Sequence, residues 1–141
     1  MDLQNLYRQV IMDHYKNPRN KGLVGYKQIR LRNPSCGDDI TIEANIEDNK
    51  LKEIHHEGNG CSICCSSASV MSELLTGKDL DTALEIINDY YCLVTGEEVE
   101  DEERLEEALV YQGVSQFPAR TKCATIAWKA LEQLIGENES E

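Results

Sequence analysis

Residues 40–46 read Ile40-Thr41-Ile42-Glu43-Ala44-Asn45-Ile46, an apolar–polar alternation that suits a half-buried strand and does not suit a helix. The flanking stretches carry the helical period instead. Leu3, Leu6, Tyr7, Val10, Ile11 and His14 share one helical face, which predicts a first helix over 2–16. Asn17-Pro18 ends it, because the residue before proline avoids the helical region, and 17–25 follows as a loop. Glu47-Asp48-Asn49-Lys50 reads as a turn into a returning strand from Leu51 to Glu57, and Ile29 and Leu31 make 26–32 a third strand.

From Cys61 onward the pattern is helical. One helix is predicted over 62–75 with Gly77 as its stop, and a second over 81–95 with Gly96 as its stop. Leu84, Ile87, Tyr91 and Val94 form the expected buried stripe of the second. A short helix near 102–111, a loop from Gly113 to Pro118 and a last helix over 120–135, ending at Gly136, complete the chain. Ala127, Leu131, Leu134 and Ile135 are its expected buried face, with Trp128 beside them, and Glu137 to Glu141 is expected to fray. The order argues for an α+β fold: a small antiparallel sheet of about three strands with helices packed on one face. With no internal repeat and no linker, 1–141 reads as one domain.

At 141 residues and 40% hydrophobic content the chain can bury a real core. No stretch approaches the roughly 20 apolar residues that span a bilayer. The start, Met1-Asp2-Leu3-Gln4-Asn5, lacks a basic region followed by an apolar one, so the expected compartment is the cytosol and no membrane partner is expected. Six cysteines in that setting suggest reduced thiols, metal ligands or catalysis rather than a disulfide framework. A net charge of −12 without a basic stripe argues against nucleic acid as a partner. Much of the acid lies in Glu97 to Glu103 and in Glu106-Glu107, read as a solvated loop and helix face, with a docking surface as the sharper reading.

Three cysteines carry the functional argument. Cys36 sits in Asn33-Pro34-Ser35-Cys36-Gly37-Asp38, a turn-forming segment that places it and Asp38 in a loop between strands. Cys61 follows Gly58-Asn59-Gly60 at the start of a helix, where unpaired N–H groups and the helix dipole favour a thiolate. Cys123 is expected in an early helical turn, with Arg120 and Lys122 adding positive charge. Three sulfurs and the Asp38 carboxylate would complete a tetrahedral zinc site. The same settings suit sulfur chemistry, and inert burial is the bland alternative for each cysteine.

Cys61 and Cys64 form a CxxC, but Cys64 and Cys65 lie in a Ser- and Ala-rich stretch where core filling is the better reading; Cys92 falls inside a helical pattern and reads as structural. His14 lies on the apolar face of the first helix, and His55-His56 point to opposite faces of a strand, so all three read as structural. There is no Gly-rich phosphate loop, HExxH pair or Ser-centred elbow.

At these motifs the chain resembles the IscU/NifU-like iron–sulfur assembly family, and within it the SufU branch. Leu6-Tyr7-Arg8-Gln9-Val10-Ile11-Met12-Asp13-His14-Tyr15-Lys16-Asn17-Pro18-Arg19-Asn20 resembles the family's first helix and loop. The segments around Cys36, Cys61 and Cys123 resemble its three cysteine motifs, the third as Gln112 to Ala124. Lys122 stands where IscU scaffolds carry a histidine, and the acidic 97–112 region resembles the SufU insertion. Cys64-Cys65 are thiols that the family pattern does not require.

The resemblance implies a SufE/NifU-like fold and a zinc site of Cys36, Asp38, Cys61 and Cys123. It implies that a SufS-type, pyridoxal-phosphate-dependent cysteine desulfurase hands persulfide sulfur to Cys36. A desulfurase histidine would replace one sulfur ligand to free Cys36, which would then pass sulfur to a downstream cluster-assembly scaffold. Arg120 resembles a branch-typical arginine that would stabilise thiolate or persulfide charge. The alternative is an IscU-like scaffold that assembles an iron–sulfur cluster on Cys36, Cys61 and Cys123.

Overall fold

The computed structural model describes residues 3–139. The elements run α1 (Leu3–Lys16), β1 (Gln28–Asn33), β2 (Asp38–Glu47), β3 (Lys50–Asn59), α2 (Ser62–Leu75) and α3 (Leu80–Thr95). A 3₁₀ segment (Glu103–Gln116) and α4 (Pro118–Glu139) follow. Asp2 of the expected first helix, and Ser140 and Glu141 of the expected frayed tail, lie outside the described residues.

The strands form an antiparallel sheet in the order β1-β2-β3. Asp48 and Asn49 both take positive φ, 52° and 61°, the two-residue turn whose twist matches a hairpin. That turn fixes the β2–β3 register, so Ile40, Ile42 and Ala44 share a buried face with Leu51 and Ile54. α2 and α4 cover this face. The α+β reading therefore holds, with one adjustment on the opposite face. Glu43, expected to point outward, is wholly buried. The loop over 22–26 folds across it, and the N–H groups of Val24, Gly25 and Tyr26 donate to its carboxylate at 2.6, 3.1 and 2.9 Å. A charge can stay buried there because backbone donors replace the water it lost.

The helical layer is tied together by small hydroxyls on α2. Trp128 Nε1 donates to Ser67 Oγ at 2.8 Å, and Ser67 Oγ and Tyr90 Oη donate to the Ala124 carbonyl at 2.8 and 2.7 Å. Tyr90 stacks on Trp128 with ring centroids 3.8 Å apart. Among the described residues no buried side-chain nitrogen or oxygen lacks a partner. This network corrects the expected stripe of α3. Ala83, Ile86, Ile87, Tyr90, Leu93 and Val94 are buried, whereas Leu84 and Tyr91 lie at the edge. Tyr90 goes inside because its hydroxyl finds a carbonyl there, while Tyr91 reaches Glu132 at the surface, 3.1 Å away.

Two boundaries also differ from expectation. The expected short helix and the loop from Gly113 to Pro118 are instead 3₁₀ turns to Gln116, interrupted at Glu106 (φ 47°). Leu105, Ala108, Tyr111 and Val114 bury against the helices and hold the segment down, and Arg104 pins it to Asp89 at 2.8 Å. α4 runs through Gly136 to Glu139. A glycine in a helix costs only about 1 kcal/mol, and the burial of Leu134 and Ile135 just before it offsets that.

Candidate metal centre

The three cysteine segments meet at one end of the sheet. Asn33 and Asp38 are the last paired residues of β1 and β2, so Pro34 to Gly37 must turn back within four positions. Cys36 N–H donates to the Asn33 carbonyl at 3.1 Å, and Gly37 takes φ 72°, which closes the turn. Cys36 is therefore held at the tip, half-buried, its thiol 3.9 Å from the Ala119 carbonyl. Asp38, expected in the loop, is instead the first residue of β2 and is buried. Pairing opposite Asn33 puts it there.

Asp38 is clamped on both carboxylate oxygens. Oδ1 accepts the Cys61 N–H at 3.0 Å and Oδ2 accepts Asn33 Nδ2 at 3.4 Å. Gly60 makes this approach possible, since a Cβ there would stand 2.6 Å from Oδ1. Cys61 is the N-cap of α2, and its sulfur makes no capping hydrogen bond. Cys123 lies in the second turn of α4, fully buried, with Asn33 Nδ2 3.8 Å from its sulfur.

Ligand atoms of Cys36, Asp38 and Cys123 all lie within 4.8 Å of one another. Cys61 stands at the edge of this group, its thiol against that of Cys123. Arg120, exposed on the first turn of α4, faces the sulfurs of Cys123, Cys61 and Cys36, and their negative charge raises its pKa. Its contact with Cys123 is the largest cause. The Cys123 thiol runs opposite to the sequence expectation. Burial, then hydrogen bonding with the Asp38 carboxylate, which accepts, and with the Cys36 and Cys61 thiols, pushes it up rather than down. The physical reason is crowding: a carboxylate and further sulfurs share one small volume, and Arg120 alone does not balance them. A dication among such groups reverses that balance. The donor set of sulfurs and one carboxylate fits zinc in chemistry and number.

The sequence reading missed two residues. Asn33 bridges Asp38 and Cys123, and Gly60 leaves room for the Asp38 carboxylate. Asn33 could have been found from its place opposite Asp38 across the expected hairpin. The Gly60 contact is tertiary and leaves no local signal.

The remaining thiols and histidines fall elsewhere. Cys64 is buried, as core filling requires, and its thiol is pushed up by the hydrogen bond with Cys65 and by burial. Cys65 is half-buried against the Gly60 carbonyl at 3.7 Å and is brought down to about 7 by the Cys64 hydrogen bond, with Lys21 assisting. Cys92 points to Glu97 at 3.7 Å. His56 Nε2 meets the Arg19 carbonyl at 2.7 Å, and His55 meets Glu53 at 3.1 Å. His14, Glu73 and Glu107 also lie within 4.8 Å of one another. Local pairing accounts for that set: His14 bonds Ser69 and Glu107, and Glu73 faces Arg19 at 3.8 Å.

Residues 6–124 match the family model described as NifU-like N terminal domain. The chain is 45% identical over 139 residues to the zinc-dependent sulfurtransferase SufU of Bacillus subtilis (strain 168), covering 98% of this chain and 95% of that one. It is 38% identical over 134 residues to the iron–sulfur cluster assembly scaffold protein IscU of Streptococcus pyogenes serotype M1, covering 94% and 84%. The solved SufU structure from Fervidobacterium islandicum AW-1 superposes with a TM-score of 0.81 at 32% identity, over 93% of this chain and 97% of that one.

Proposed function

This chain belongs to the NifU-like N-terminal domain family, and on that premise we propose that it is a zinc-dependent sulfur acceptor in iron–sulfur cluster assembly. It takes persulfide sulfur from a SufS-type cysteine desulfurase and passes it to the cluster-assembly machinery. The observation that carries this reading is the meeting of Cys36, Asp38 and Cys123 beside Cys61 and Arg120, with Cys36 alone on a turn.

The roles divide by mobility and burial. Asp38, Cys61 and Cys123 are anchored by a strand, a helix start and a helix interior, and they hold zinc together with Cys36. Bound zinc keeps these sulfurs deprotonated near neutral pH. Cys36 is the nucleophile because a half-exposed turn can deliver its sulfur to a partner. Its thiolate attacks the terminal sulfur of the desulfurase persulfide. A Cys36–sulfur bond forms, the donor's sulfur–sulfur bond breaks, and the electron pair leaves with the desulfurase thiolate. Arg120 faces the sulfur that carries negative charge before and after the transfer.

The test is desulfurase turnover with the zinc-loaded chain. Strong stimulation with one zinc per chain, lost in Cys36→Ala, is the expected result. A stable coloured cluster and no stimulation would sink the acceptor reading in favour of the scaffold named for the Streptococcus pyogenes relative. Lys122, exposed on α4 where IscU scaffolds carry histidine, favours the acceptor because it offers no cluster ligand at that position.

A further inference from the structure

Two thiols take no part in the transfer chemistry. Cys64 and Cys65 lie in the first turn of α2, outside the group that Cys36, Asp38 and Cys123 form. Cys64 is sealed in the core, whereas Cys65 is half-buried and lines a partly enclosed cavity of about 140 Å3. Lys21, Ile40, His56 and Gly60 line it too. A water molecule occupies about 30 Å3 of liquid, so this cavity admits molecules of only a few heavy atoms.

Two observations say what kind of molecule reacts there. His56 is 3% exposed and its Nε2 meets the Arg19 carbonyl at 2.7 Å, so that nitrogen carries the hydrogen and Nδ1 carries a lone pair. Nδ1 has no partner among the described residues. Since no buried side-chain nitrogen among them lacks one, Nδ1 reaches the cavity that His56 lines, as a hydrogen-bond acceptor. The Cys65 sulfur takes a hydrogen bond from the Cys64 thiol and faces the Lys21 ammonium. Both contacts favour a thiolate, against burial and the more weakly acting Asp38 and Glu57 carboxylates. Cys92, half-buried on α3, is pushed the other way by burial and Glu97. A nucleophilic sulfur, a cation and an acceptor around a small cavity suit a small electrophile that carries its own O–H, a hydroperoxide.

We infer that Cys65 is an oxidation site for small hydroperoxides, of which hydrogen peroxide is the simplest. His56 Nδ1 accepts the peroxide O–H, and the Cys65 sulfur attacks an oxygen. A sulfur–oxygen bond forms and the oxygen–oxygen bond breaks. The electron pair leaves on the other oxygen, which takes the proton that the thiol gave up. Sulfur is oxidised by two electrons to a sulfenic acid, and the peroxide is reduced to water or an alcohol. The product stays a sulfenic acid rather than a Cys64–Cys65 disulfide. Adjacent Cα atoms lie about 3.8 Å apart, short of the roughly 4.4–6.8 Å that a disulfide spans. The step uses neither zinc nor the desulfurase, so it stands or falls apart from the acceptor reading.

The experiment treats the full-length, zinc-loaded chain with equimolar hydrogen peroxide, traps sulfenic acid with dimedone and locates the label by peptide fragmentation. Label on Cys65 ahead of every other cysteine, and absent in Cys65→Ser, is the expected result. Cys65→Ser is expected to keep wild-type zinc content and circular dichroism, so that its lost label is not a lost fold. Lys21→Gln is expected to slow labelling roughly two- to fivefold, the worth of one half-exposed charge pair. Lys52→Gln, exposed on β3, is expected to leave the rate unchanged. Label reaching another cysteine first would overturn the assignment. So would a Cys64–Cys65 disulfide as the first product, an unlabelled chain, or equal rates in the two lysine variants.

Discussion

The two ends of the α2–α4 contact are built from neighbouring residues and behave in opposite ways. At one end the Ala124 carbonyl receives Ser67 and Tyr90, and Trp128 closes the network on Ser67. Each donor there has an acceptor in place. One residue earlier on α4, Cys123 enters a cluster where sulfurs and a carboxylate press on one another and raise its pKa. The first end is complete within the chain. The second is short of positive charge, and Arg120 at the rim supplies only part of it. A fold can thus place a self-satisfied polar core directly against a site that calls for a cation.

If the two ends are separable, damage to one should leave the other working. Trp128→Ala removes the largest fully buried side chain and is expected to cost about 3–5 kcal/mol of stability. Its urea midpoint should fall sharply, while the folded fraction still retains zinc at wild-type stoichiometry. Zinc lost in proportion to folded protein would instead join the two ends into one cooperative unit.

Gly60→Ala tests the other end. The new Cβ meets Asp38 Oδ1 at 2.6 Å, so the carboxylate or the loop must shift. Zinc affinity is expected to fall roughly 10–100-fold, the usual effect of disturbing a ligand's support. A chromophoric chelator competition reads this, and far-UV circular dichroism should stay unchanged. An unaltered affinity would mean that Asp38 is not held for metal.

The smallest effect concerns pH. Burial lowers the pKa of His56 from 6.5, so the unfolded chain binds its proton more readily than the folded one. The stability gained by keeping His56 neutral is complete above about 6.5. It drains as pH falls from there through the depressed folded value. His56→Gln should flatten this part of the stability–pH curve. An unchanged slope would move the acid sensitivity elsewhere, to the thiol end or to the carboxylates.

Element types were legible because local patterns agreed with the tertiary fold. The alternation at 40–46 gave β2, Asp48-Asn49 gave the hairpin turn, and the small-residue run after Cys61 gave α2. Where the reading failed, a tertiary partner had won. Glu43 is inside because a loop brings it three N–H donors, and Tyr90 rather than Tyr91 is inside because Ala124 offers a carbonyl. The 3₁₀ segment had no strong period of its own and takes its shape from the surface it covers.

The candidate site divides along the same line. Residue type and local setting singled out Cys36, Asp38, Cys61, Cys123 and Arg120, because thiolate chemistry needs turns, helix starts and nearby cations. Sequence alone also set the charge deficit, since the residues that converge carry more potential negative charge than positive. Only the tertiary structure decided that Asp38 is a buried strand residue, that Asn33 and Gly60 hold it there, and that Cys36 remains at a reachable tip. Those facts depend on segments tens of residues apart meeting at one sheet end. Hairpin register and helix packing fix that meeting, and no local pattern encodes it.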